Sequence, residues 1–153
     1  MPKKKKKTKI TKLPRKKGLY LKDAGPKGRG VFCTDDIRSG EIIEVTPALI
    51  LNDGDTEAVS GKLLNQYTFK IGAIPKRMQA AAGIKDLAEA SAVVMGVMAY
   101  CNHDRKPNAE ILWEAVDGAL YYYLEATSRI AKGTEICTTY GNSWFSERAE
   151  KPH

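Results

Sequence analysis

Residues 92–108 impose the tightest condition on how this chain can fold. An apolar run over 92–101 passes directly into Asn102-His103 and then Asp104-Arg105-Lys106-Pro107-Asn108. A segment that ends this way buries its entry and then presents amide and imidazole groups at one point. Pro107 fixes its own φ and pushes Lys106 toward extended backbone, so the loop is stiff. Taken alone, residues 100–108 read equally well as a surface turn holding one histidine or as part of a site. Three further motifs, placed in a particular order along the chain, shift that balance.

The 153 residues are expected to form one domain with a tail. An apolar content of 42% supports a modest core. The longest apolar stretch, residues 88–101, is interrupted by Glu89 and is too short to span a membrane. No apolar stretch follows the basic N-terminus, so no signal peptide is expected. Cys33, Cys101 and Cys137 are odd in number and widely spaced, with no Cys-x-x-Cys. They read as buried thiols of a reducing compartment rather than a disulfide frame or a zinc site. The net charge of +7 is uneven: residues 1–17 carry ten of the 25 basic side chains and no acid. From Gly18 onward 15 basic residues face 18 acidic ones, a balance of −3. That body suits a basic partner better than a nucleic acid.

Residues 1–17 form a lysine run that self-repulsion should keep disordered. Grip on DNA or RNA, nuclear import and simple solubilisation all remain open for it. Residues 18–23 alternate Leu19 and Leu21 as an edge strand should. Gly25, Gly28 and Gly30 then punctuate a turn before Val31-Phe32-Cys33, and no helix follows to make a dinucleotide fingerprint. Residues 36–45 read as strand, turn and strand, and residues 129–136 repeat that shape. In each, an Ile sits three residues before a Gly and a Glu follows it; the Ile tucks under the turn and the Gly takes the positive dihedral. Residues 63–71 alternate Tyr67, Phe69 and Ile71 and predict a half-buried strand. Residues 74–90 predict one or two helical turns, and 92–100 leave helix and strand both open. Residues 109–114 and 119–125 form an antiparallel pair joined at Asp117-Gly118. The fold class is therefore mostly β, with few short helices.

Four signals now stand in order: Gly28-Arg29-Gly30, Tyr67-Thr68-Phe69, Asn102-His103 to Pro107-Asn108, and Gly133-Thr134-Glu135-Ile136 to Tyr140-Gly141. This order resembles the SET-domain protein lysine methyltransferases, above all the compact stand-alone SET proteins of viruses and bacteria. The likeness spans residues 18–148, leaving a tail at 1–17 and a short C-terminal tail at 149–153. It implies several small β-sheets around a C-terminal pseudoknot, with S-adenosylmethionine on one face and a channel for the substrate lysine on the other. Carried over, Lys27, Gly28, Arg29 and Gly30 approach the methionine part of the cofactor. Cys101, Asn102 and His103 hold its amine and adenine ends, and Trp144 covers the adenine. Tyr140 is the implied catalytic tyrosine, also touching cofactor, and Tyr67 a wall of the lysine channel. Asp104 stands where the family commonly has serine. Thr138 stands where it often has Phe or Tyr, which leans toward di- or trimethylation. The cysteine-rich zinc segment of many relatives is missing, so no metal is expected.

The resemblance implies a protein-lysine N-methyltransferase acting on a lysine-containing protein, foremost a histone tail. A non-histone basic protein and a silent SET-like module that binds chromatin are the competing readings. Expected partners are that substrate, DNA through residues 1–17, and a second copy in a homodimer, with no membrane. The expected location is intracellular: nuclear or chromatin-associated in a eukaryotic or viral setting, otherwise cytoplasmic or delivered to a host cell.

Overall fold

The computed structural model describes residues 12–71 and 74–139. Strands β1 (Leu19–Asp23) and β2 (Arg29–Cys33) pair antiparallel, Leu19 opposite Cys33. Strand β3 (Ile42–Ile50) is followed by helix α1 (Asp53–Val59), strand β4 (Thr68–Lys70) and helix α2 (Lys76–Ala81). Then come β5 (Ser91–Val94), the two-residue β6 (Asn102–His103), β7 (Ala109–Val116), β8 (Ala119–Ala126) and the two-residue β9 (Cys137–Thr138). Five strands form one antiparallel sheet in the order β4-β5-β3-β8-β7, and β6 pairs with β9 in parallel.

The β7–β8 hairpin follows its sequence signal closely. Asp117 and Gly118 take φ of 50° and 81°, the pair of positive angles a two-residue hairpin turn requires. Along β8 every second residue is buried: Leu120, Tyr122, Leu124 and Ala126. Each large one contributes about 1.5–3 kcal/mol by leaving water. The same hydrophobic cluster includes Val31 of β2, Ile43 of β3, Ala92 and Val94 of β5, and Ile136 just before β9, so it joins the β1–β2 pair to the five-stranded sheet. The buried Tyr122 hydroxyl donates to the Lys70 carbonyl at 3.1 Å, which ties β8 to β4. Burial pushes that phenol up to about 12.

The two repeated turns behave as their residues require, and they also meet. Ile37 and Ile130 are buried and exchange backbone hydrogen bonds of 2.8 and 2.9 Å. Gly40 and Gly133 take φ of 81° and 77°. One expectation needs correction, and two stretches carry no firm one. The strand expected over 63–71 is mostly a 3₁₀ turn, Leu63–Tyr67, with only Thr68–Lys70 extended. A short alternation says little when flanking residues gain more from turning than from pairing. Helix α1 carries no apolar stripe; its signal is the cap, with the Asn52 side chain accepting from Asp55 N at 2.7 Å. The stretch left open at 92–100 is both things, strand β5 and then a 3₁₀ turn, Val97–Tyr100, separated at Gly96.

The expected tail boundary after residue 17 falls inside an ordered contact. Val45 N donates to Pro14 O and Lys16 N to Ile43 O, while Lys16 Nζ pairs with Glu41 at 2.7 Å. The first half of β3 is thus covered by residues 14–17. The lysines before residue 12 lie outside the described residues. No helix among the described residues is long and apolar enough to cross a membrane.

Candidate functional site

The parallel pair β6–β9 brings together chain segments that the sequence keeps far apart. Asn102 lies opposite Cys137 and His103 opposite Thr138. Two residues give a weak ladder on their own, so side chains do much of the fastening. The Asn108 amide donates from Nδ2 to Glu135 O at 2.8 Å and accepts at Oδ1 from Cys137 N at 2.9 Å. Backbone bonds from Asp104 N to Thr138 O and from Asn108 N to Cys137 O close the loop on both sides. The stiff Lys106-Pro107 unit sets Asn108 at the right place to do this.

The glycine turn between β1 and β2 joins the same crossing. Gly28 takes φ of 77°, which a side chain would resist. Gly30 is extended, and its need is space: a Cβ there would run into the Glu135 side chain and lie 3.2 Å from Ala24 Cβ. Ile136 N donates to Val31 O at 2.8 Å, which lays the Glu135 segment along β2. The Asn102 amide nitrogen then reaches both Arg29 O, at 3.1 Å, and Glu135 Oε1, at 2.7 Å. Lys27 Nζ stands 3.8 Å from Glu135 Oε2 and 3.9 Å from Asp104 Oδ2. One ammonium, one amide, one backbone carbonyl and two carboxylates therefore converge beside β6.

Of the residues singled out from sequence, Lys27, Gly28, Arg29, Gly30, Asn102 and His103 are gathered here. Burial, aided by Lys27 and Arg105 and opposed by Asp104, holds the His103 imidazole below its ordinary value, so it is neutral near pH 7. The Cys101 side chain packs in the core instead, and its backbone N–H donates to Met98 O at 3.1 Å. Its thiol is pushed up strongly by burial, and that of Cys137 up to about 12 by burial and Glu135. All three cysteines are buried, and none forms a disulfide among the described residues. Tyr67 ends its 3₁₀ turn with its ring 5.7 Å from that of Tyr100, tilted by 60°. Tyr140, Gly141 and Trp144 lie outside the described residues.

Sequence reasoning gave no role to Glu135, Asn108 or Tyr100. All three stood inside quoted motifs, so their places were visible and only their contacts were not. Thr138 is different. Its Oγ1 is buried with no hydrogen-bond partner among the described residues, an uncommon state for a hydroxyl. Nothing in its sequence neighbourhood announces this.

Comparisons with known proteins agree with this geometry. A histone-lysine N-methyltransferase of Schizosaccharomyces pombe, specific for H3 lysine-37, is 29% identical over 133 residues, covering 86% of this chain and 79% of that protein. A candidate histone methyltransferase of Plasmodium falciparum superposes with a TM-score of 0.61 at 21% identity, over 85% of this chain and 98% of that one. A Neurospora SET domain histone lysine methyltransferase gives 0.63 at 21% identity, over 84% of this chain and 54% of that one. Both structures share the fold. The SET domain family model matches residues 28–141, from the glycine turn through the Tyr140-Gly141 pair. The chain belongs to the SET domain family.

Proposed function

We propose that this SET domain is an S-adenosylmethionine-dependent protein-lysine N-methyltransferase whose substrate is a histone tail. The observation that carries the reading is the convergence of Lys27, the Arg29 carbonyl, Asn102 and Glu135 beside the β6–β9 ladder. The H3 specificity of the fission-yeast relative supports the substrate class.

The residues present fit the cofactor. Its amino-acid end is zwitterionic and needs a cation for its carboxylate and acceptors for its ammonium. Lys27 supplies the first; the Arg29 carbonyl and Glu135 carboxylate supply the second. Backbone at Gly28 leaves room for close approach, since a Cβ there would meet nothing within 4 Å. Asn102, His103 and the backbone of Cys101 would hold the remainder, with Trp144 as cover. When bound, the cofactor supplies an electrophilic methyl group on a sulfonium.

The chain's own task is to deliver a neutral amine in line with that methyl. A lysine with an ordinary value of about 10.4 costs about 4.6 kcal/mol to deprotonate at pH 7. An aromatic, water-poor wall lowers that cost by disfavouring the ammonium. Tyr67 and Tyr100, whose rings meet at 5.7 Å, would supply its aromatic part. Tyr140 then orients the amine through its hydroxyl, and orientation can be worth roughly 7–11 kcal/mol. Thr138, small where the family often has Phe or Tyr, leans toward di- or trimethylation.

Substrate charge fits as well. Beside Thr68–Lys70 runs a groove of about 740 Å³ whose walls include Asp53, Glu57, Asp86 and Glu89, against two lysines, Lys70 and Lys85. Such a surface steers a basic peptide and raises its encounter rate. A histone substrate puts the protein at chromatin. Contact with DNA then falls to the basic residues within 1–17, of which Arg15 and Lys16 are already paired with Glu44 and Glu41.

Incubating the full chain with labelled S-adenosylmethionine and a histone mixture tests the proposal. Label should appear on a histone and disappear in Tyr140→Phe while S-adenosylhomocysteine binding persists. Transfer to no histone, from a folded chain that binds the cofactor, would overturn it. Mass spectrometry of the product reads the number of methyls.

A further inference from the structure

The most deeply buried carboxylate in the described molecule belongs to none of the groups above. Glu44 lies in β3 and is 1% exposed. Its Oε1 accepts from Val97 N at 3.0 Å and its Oε2 from Met98 N at 2.8 Å. Oε1 also accepts from Arg15 Nε at 3.0 Å, a side chain that is itself 54% exposed. A buried carboxylate is costly unless donors surround it, and here three do.

What it holds is the root of the site. Val97 and Met98 open the 3₁₀ turn Val97–Tyr100, whose first amide groups have no partner within the turn. Cys101 N donates to Met98 O at 3.1 Å, and Asn102 follows at once in β6. Tyr100, which meets Tyr67, is the last residue of the same turn. Gly96 shows how close the fit is. A Cβ there would lie 2.6 Å from Glu44 Oε1 and 2.9 Å from its Cδ. Gly96 has φ of −146°, so the requirement is room for the carboxylate and no special backbone angle.

We propose that Glu44 is a positioning residue: by clamping the Val97 and Met98 amides it sets where Asn102 and His103 enter the cofactor site and where Tyr100 meets Tyr67. The inference rests on the methyltransferase reading and adds to it a residue that touches neither cofactor nor substrate. A role in stability alone would lower the melting temperature of a variant and leave the folded fraction with normal binding. A positioning role changes binding by the folded enzyme.

The test uses the full chain and compares wild type, Glu44→Gln, Gly96→Ala and Arg15→Ala by melting temperature, by S-adenosylhomocysteine titration calorimetry, and by kcat and KM on histones. Glu44→Gln keeps the shape but turns an NH₂ group toward one turn amide. At a temperature well below its melting point, Kd for S-adenosylhomocysteine and KM for S-adenosylmethionine should rise about 10-fold, with kcat within about 3-fold. Gly96→Ala displaces the carboxylate from the other side and should give the same pattern, which keeps the test open if Glu44→Gln does not fold. Arg15→Ala leaves both turn bonds in place and should change KM less than about 3-fold. Unchanged Kd and KM in a folded Glu44→Gln or Gly96→Ala would overturn the proposal, as would an Arg15→Ala effect equal to theirs. A wild type that binds no S-adenosylhomocysteine would sink the cofactor reading and this inference with it; normal wild-type binding with indifferent variants sinks the inference alone.

Discussion

Two turns of nearly the same sequence shape, one after Ile37 and one after Ile130, do different work. Both bury the isoleucine, both give their glycine a positive φ, and the isoleucines pair with each other. Their glutamates part company. Glu41 follows Gly40 directly and folds back on its own turn, accepting from Arg38 N at 2.9 Å and pairing with Lys16 at the surface. Glu135 stands one place further from Gly133, after Thr134. That single extra residue sends it the other way, toward Asn102 and Lys27. Extended backbone alternates its side chains between two faces, so one residue of offset decides which face a carboxylate serves. The lesson is that the turn is a reusable scaffold part, and position within it decides which neighbours an acid meets.

The largest effect that would test this contrast comes from the clasp that holds Glu135 in place. Asn108→Ala removes two hydrogen bonds and leaves Cys137 N without its side-chain acceptor; chemical denaturation should show a loss of about 2–4 kcal/mol. A loss under about 1 kcal/mol would mean that the β6–β9 ladder stands without its side-chain fastening. Glu135→Gln should come next, lowering kcat/KM about 10-fold, or roughly 1.4 kcal/mol, at nearly unchanged stability. Equal activity would erase the distinction between the two glutamates. The smallest effect belongs to Glu41→Gln, about 1 kcal/mol or less in stability with normal kinetics, since Glu41 is a surface partner. Its signature is the pH profile. The Lys16 hydrogen bond, followed by that of Arg38 N, holds the Glu41 carboxyl below its ordinary value of 4.5. Its contribution is therefore full above about that pH and fades as pH falls through the lower folded value. Thermal melts from pH 6 to pH 3 should show a shallower acid slope in Glu41→Gln than in wild type.

The β1–β2 hairpin, the β7–β8 hairpin and the two isoleucine turns were legible because their causes are local. Alternation, an Asp-Gly pair and glycines at positive φ act within a few residues of themselves. Helix α1 and the 3₁₀ turn ending at Tyr67 were not, because one rests on a cap and the other on what surrounds it. The site divides in the same way. Asn102, His103 and the glycine turn announce themselves by residue type and spacing, and so does the family. Glu135, Asn108 and Tyr100 were visible as members of motifs and silent about their partners.

The residues of this chain determined its class, its hairpins, the stiff loop after His103 and the membership of the SET domain family, since each follows from short-range pattern and order. Only the folded molecule decided that Asn102 would bridge Arg29 and Glu135, that Asn108 would fasten β9, and that a buried glutamate on β3 would grip the turn leading into the site. Those contacts join groups 29 to 73 positions apart in the chain. Their energies depend on burial and on geometry fixed by everything packed between, which no local pattern encodes.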